Sequence, residues 1–168
     1  FHSINNKENG YFIIEYAGKK IGLIHGKNND FEKRTSEGGI FIWDKEYIKT
    51  LVPSLASLIL DDYTFLITNF NATYAKVLSS NDPVIEYNKL MGYVPCEPQT
   101  NDKGVQWMIL TRENYIKRMK LLRKSIANAT GDGEPLTAKD FDFSDDSPEE
   151  IELLYKGLPP DIQQTIDG

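Results

Sequence analysis

The sequence has few of the residues from which metal and thiol sites are built. It holds one cysteine, Cys96, and two histidines, His2 and His25, among 168 residues. A lone cysteine makes no intrachain disulfide, which fits a reducing compartment. Neither histidine has a second metal-type residue at ligand spacing, so no zinc site can be assembled. Cationic charge is not in excess: 19 Lys and Arg stand against 25 Asp and Glu, a formal net charge of -6. Neutralising phosphates requires a basic face, so nucleic acid is not the expected partner. Long hydrophobic runs are missing too. Stretches such as Leu58-Ile59-Leu60 fall far short of the ~20 residues that cross a bilayer, so no membrane partner is expected, and residues 1–20 show no secretory leader.

What is present is enough for a core, with 40% hydrophobic residues. The runs "YFIIEY" (11–16) and "IGLIH" (21–25) flank Gly18 and read as a hairpin. The polar, glycine-bounded stretch 26–39 reads as a mobile loop leading into a short strand, "IFIW", at 40–43. Ile48, Leu51, Val52, Leu55, Leu58 and Ile59 recur at helical spacing, which predicts an amphipathic helix over 45–61 that starts or kinks at Pro53. "YTFLITNF" (63–70) reads as a buried strand, and "ATYAKVL" fits strand or helix. Asp82-Pro83 opens and Gly92 closes a short helix, followed by strands at 93–96 and 105–110. A helix over 112–128 carries a basic surface of Arg112, Lys117, Arg118, Lys120, Arg123 and Lys124. Beyond it lies an acidic linker, with Ser147-Pro148-Glu149-Glu150 as a capping box before one more helix. The expected organisation is a domain at 1–128 and an extension of acidic linker and short docking helices at 129–168.

The order hairpin, strand, helix, strand, helix, strand, strand resembles the latter two-thirds of the GNAT acyltransferase fold, which leaves room for a strand and helices ahead of Phe1. The resemblance is carried by "SSNDPVIEYNKLMGYVP" (79–95), where Asn81, Val84, Gly92 and Tyr93 match the spacing of the family's last helix. It implies an α+β class, a mixed central sheet flanked by helices, here with a helical, acidic C-terminal extension. In that family acetyl-CoA lies where two parallel strands splay apart, and an amine attacks the thioester. The strands implied are Ile40–Trp43 and Tyr63–Phe70. Ile42, Trp43 and Asn81 are then the cofactor-binding candidates, and Tyr87 is the candidate acid for the departing thiolate.

Two features depart from the family. After Trp43 the chain reads Asp44-Lys45-Glu46-Tyr47-Ile48-Lys49, with no glycine to bring amides to a diphosphate and with two carboxylates in the way. The family's tyrosine position falls on Asn88, while Tyr87 lies one residue and about 100° away. This combination looks like the acetyltransferase-like internal virion proteins of short-tailed phages. The resemblance implies a degenerate fold kept as an interaction or virion component, with no cofactor expected. The alternative is an active N-acetyltransferase using acetyl-CoA. A protein partner or a second copy would be met through the basic helix and the tail, whose Phe141, Phe143, Ile151, Leu154, Leu158 and Ile162 are too apolar for a disordered linker.

Overall fold

The computed structural model describes residues 7–130, 134–140, 142, 144 and 147–167. Six strands form one sheet: β1 (Gly10–Tyr16), β2 (Lys19–Asp30), β3 (Thr35–Ile42), β4 (Ala72–Leu78), β5 (Val94–Pro95) and β6 (Val105–Thr111). Their order across the sheet is β1-β2-β3-β4-β6-β5. All pairings are antiparallel except β3 with β4. The helices are α1 (Val52–Asp62), α2 (Asp82–Met91), α3 (Arg112–Thr130), α4 (Pro148–Lys156) and α5 (Pro160–Asp167). The class is α+β with a mixed sheet, as the sequence indicates, and among the described residues no helix is long and apolar enough to cross a membrane.

The expected loop at 26–39 is a correction: its residues lengthen both strands of the β2–β3 hairpin, with Lys27 opposite Glu37. Asp30 fixes the turn by accepting from the amides of Glu32 and Lys33 and pairing with the Lys33 ammonium. The polar residues of these strands, Lys27, Asn28, Asn29, Asp30 and Glu37 among them, carry no apolar alternation and so read as loop. The expected strand at Tyr63–Phe70 is a second correction. The chain stays helical past α1 and widens into a π-turn at Tyr63–Ile67, with Thr68 N–H bonded to the Tyr63 carbonyl. The partner strand of the parallel pair is therefore 72–78, the segment that fitted either element.

Pro53 stands at the start of α1, where its missing N–H is harmless. The apolar stripe predicted for this helix is only partly the buried one. Leu51 and Ile59, with Ile48 ahead of the helix, are about half exposed, whereas Ala56, Leu60, Asp61 and Asp62 are buried. Val52, Ala56 and Leu60 join Ile14, Ile21 and Ile24 in a cluster under β1–β3. Leu58 and Phe65 join a second cluster with Ala75, Val77, Met91, Met108, Leu110, Tyr115 and Met119. Gly92 ends α2 at φ +100°, a left-handed cap that a side chain would strain.

Candidate active-site cleft

The parallel ladder between β3 and β4 is three residue pairs long: Thr35–Ala72, Ser36–Thr73 and Glu37–Tyr74. Beyond it the strands part while each keeps its antiparallel neighbour, β3 to Ile42 on β2 and β4 to Leu78 on β6. A cavity of about 130 Å³ lies at this splay. Gly38, Gly39 and Ile40 border it from β3, and Ala75, Lys76 and Val77 from β4. Val84, Tyr87, Asn88 and Met91 of α2, with Tyr93, close one side. Ser57 and Asp61, one turn apart on α1, complete the wall, between the residues α1 gives to the two core clusters.

Two of the polar residues that line the cavity, Asp61 and Tyr93, are deeply buried, and so are Ser36 and Thr73 beside them. Ser36 donates to Thr73 Oγ1 at 3.0 Å, and Thr73 shares a hydrogen bond with the Tyr93 hydroxyl. Asp61 is 3% exposed, and its Oδ2 has no hydrogen-bond partner. Burial, then the adjacent Asp62, pushes the Asp61 carboxyl well above the usual carboxylate range. Burial likewise raises the Tyr93 phenol. Asp62 is the contrast: it accepts from Tyr115 Oη at 2.7 Å and Leu136 N–H at 2.9 Å and pairs with the Arg123 guanidinium.

On the other sheet face, Glu37 pairs with Lys27 at 2.9 Å and with Lys76 at 3.4 Å. These cations outweigh the effect of burial, the largest single influence, and hold its carboxyl below the usual range. Lys76 also approaches Asp102 at 3.6 Å and lies over the Trp107 ring. Its ammonium is thus drawn away from the cavity that its backbone borders. His25 lies flat across Gly39: a β-carbon there would stand 2.6 Å from Nε2. Burial, reinforced by Lys27, lowers the His25 pKa, which keeps the imidazole neutral near pH 7.

The structure separates the residues singled out from the sequence. Tyr87 borders the cavity, but its hydroxyl is 3.0 Å from the Pro53 carbonyl and 2.8 Å from Ser57 Oγ, tying α2 to α1; burial raises its pKa. Asn88 also lines the cavity. Asn81 is the residue before α2, and its side chain makes no capping bond. Ile42 pairs with Gly22 and packs against the β1–β3 cluster. Trp43 is 44% exposed and donates Nε1–H to the Lys20 carbonyl. Neither Ile42 nor Trp43 borders the cavity. Asp44 is paired with Lys19 at 2.6 Å. At the start of α1, Val52 N–H is taken by Thr50 Oγ1 and Pro53 has none to offer. Nothing in the sequence marks Asp61 and Tyr93 as cavity residues: Asp61 is a carboxyl inside a helix and carries no motif, and Tyr93 enters only through the spacing that marks α2.

The tail packs on the domain. Ile162 is fully buried, and Asp161 accepts from Arg34 at 2.8 Å and Asn69 at 3.1 Å. Ile151, Leu154 and Leu158 border an apolar cavity of about 240 Å³ with Phe12, Phe31 and Phe70. Phe141 and Phe143 lie outside the described residues. Asp140 accepts from Thr137 and Asp142 from Ser144, so these tail carboxylates are satisfied within their own turns. On α3, Arg112 bonds the Phe70 carbonyl and Arg118 that of Leu90.

No protein-family model and no curated protein matches the chain. Solved structures of the spermidine N-acetyltransferase SpeG from Vibrio cholerae share its fold. A chimera of that enzyme with hSSAT is 24% identical, with a TM-score of 0.56, over 66% of this chain and 73% of that one. The spermidine/spermine enzyme in complex with manganese ions is 24% identical, with a TM-score of 0.56, over 66% and 69%. A dodecameric structure in an intermediate state gives 24% and 0.56 over 66% and 68%. The chain thus shares the fold of these spermidine N-acetyltransferases; at this identity the likeness is one of fold alone.

Proposed function

We propose that the chain is an acetyltransferase-like domain that no longer turns over acetyl-CoA and serves as a protein-interaction component, of which a phage particle is the case implied by its sequence resemblance. The carrying observation is the first turn of α1, where the family's diphosphate would be held. Of its first two residues, Val52 commits its amide to Thr50 and Pro53 has none, and no glycine lets the backbone approach. These residues do not fit the coenzyme's anionic end. The Tyr87 hydroxyl, committed to α1, supports the same reading, since a proton donor must face the leaving group. The partner, another protein or a second copy, would meet the outer faces of the tail and α3, where Leu153 and Leu121 are exposed.

A second reading, an active acetyl-CoA-dependent N-acetyltransferase, draws on the splay itself, which keeps an open cavity with buried polar groups. Its acceptor would be an amine such as spermidine, the substrate named for the neighbours, and the chain's net charge of -6 suits a polycation. A thermal-shift titration with acetyl-CoA decides between the two. Free ligand at about 100 times its dissociation constant stabilises a binding fold by ~2.7 kcal/mol. We expect no shift at millimolar acetyl-CoA; a saturable shift would establish the second reading instead.

A further inference from the structure

Helix α4 lies on the domain without burying any of its own side chains. Its apolar residues Ile151, Leu154 and Tyr155, with Leu158 just past its end, recur at helical spacing and all border the cavity of about 240 Å³. The domain's side of that cavity is largely aromatic. Phe31, in the β2–β3 turn, meets Phe70 edge-on at 5.2 Å, and Phe12 of β1 meets Tyr63 edge-on at 6.2 Å. A surface helix draws most of its stability from burying its apolar face, yet this face looks onto space. Phe12 and Leu154 are still 43% and 45% exposed.

The lining is not built for water. Thr68 donates to the Thr64 carbonyl at 2.8 Å, Asn29 to the Lys7 carbonyl at 3.3 Å and Tyr155 to Asp167 at 2.5 Å. Among the described residues, no buried side-chain atom lacking a partner belongs to this lining, whereas an enclosed water needs several polar partners. The complement of the space is apolar. Its size sets the scale of the occupant: a dry cavity of about 150 Å³ takes benzene, so about 240 Å³ has room for roughly ten carbon atoms. Pockets for drug-sized ligands begin near ~300 Å³, so a peptide segment is too large.

We propose that the space under α4 is a binding site for a small apolar molecule of about ten carbon atoms, which completes the docking of α4 on the domain. Leu60 is the one residue that this site shares with the splay cavity, so the inference stands apart from the fate of the acetyltransferase cleft. Among the described residues, Lys7 is the one charged member of the lining, and it is exposed. An acid-headed chain would rest its carboxylate there, and a neutral hydrophobe would leave Lys7 to solvent.

Calorimetric titration of the full chain with n-octanol, octanoate and n-butanol tests this. The expected result is saturable binding of one n-octanol per chain with a dissociation constant below about 1 mM. Each buried methylene is worth about fourfold, so n-butanol should bind about thirtyfold more weakly or worse. Octanoate binding more tightly than n-octanol identifies an acid-headed chain as the ligand, and equal or weaker binding a neutral one. Bound n-octanol should also slow tryptic cleavage after Lys156, which is exposed in α4.

Two variants separate the site from unspecific uptake. A β-carbon added at Gly26, which borders the cavity, meets nothing closer than 3.9 Å, so Gly26→Leu should fill the space, abolish n-octanol binding and protect Lys156 without ligand. Leu154→Asp changes an exposed residue, leaves the domain core untouched and should weaken n-octanol at least tenfold; it stands by itself if Gly26→Leu fails to fold. No saturable binding, equal affinity for n-butanol and n-octanol, or unchanged binding to Leu154→Asp overturns the proposal. Stabilisation by acetyl-CoA would instead sink the interaction reading, whatever the alcohols do.

Discussion

Asp61 and Asp62 adjoin in the sequence, are both buried, and have opposite surroundings. Asp62 has Tyr115, Arg123 and the Leu136 amide, so it joins α1, α3 and the segment after α3. Asp61 is buried without a cation and adjoins Asp62, so its folded pKa is raised. The folded protein therefore keeps a proton that the unfolded chain gives up above pH ~4, and stability falls as pH rises from there through the folded pKa. We expect urea unfolding between pH 4 and pH 7 to show a falling contribution of at most about 1.4 kcal/mol per pH unit, absent in Asp61→Asn. Identical slopes in the two proteins would mean that Asp61 titrates normally.

Among the elements, α5 holds to the sheet domain through a deep anchor, Ile162, and a polar clamp, Asp161. Burying an isoleucine stabilises by about 1.5–3 kcal/mol, and Ile162 is completely buried. Ile162→Ala should cost about 2–5 kcal/mol of docking and make the tail the first site of limited proteolysis, with the domain left intact. Equal cleavage of variant and wild type would show that α5 is held elsewhere. The sequence already disclosed α4, because Ser147 and Pro148 mark its start; Ser147 indeed accepts from the Glu150 amide. It also disclosed α2, bounded by Pro83 and Gly92. It did not disclose the π-turn, since "YTFLI" is an apolar run whose β-branched and aromatic content imitates a strand. Nor did it place α1's buried face: the predicted stripe includes Ile48, Leu51 and Ile59, which are about half exposed, while the carboxylates Asp61 and Asp62 are buried. The family spacing located α2 and with it Tyr87, but only the three-dimensional packing shows that phenol bonded to Pro53 and Ser57.

At the scale of the whole molecule, the short β3–β4 ladder divides the sheet into β1-β2-β3 and β4-β6-β5, each half with its own apolar cluster. Helix α1 and its π-turn contribute to both clusters: Val52, Ala56 and Leu60 to one, Leu58 and Phe65 to the other. Each half carries one tryptophan, Trp43 after β3 and Trp107 in β6. Single-tryptophan proteins made by Trp43→Phe and by Trp107→Phe should therefore report the same urea midpoint, each once normalised to far-UV circular dichroism of the same variant. Two separated transitions would show that the halves are independent. A helix shared in this way acts as a common keystone: loosening it by a change on one flank withdraws support from the opposite flank, so cooperativity here is a property of one eleven-residue segment and its π-turn rather than of the sheet.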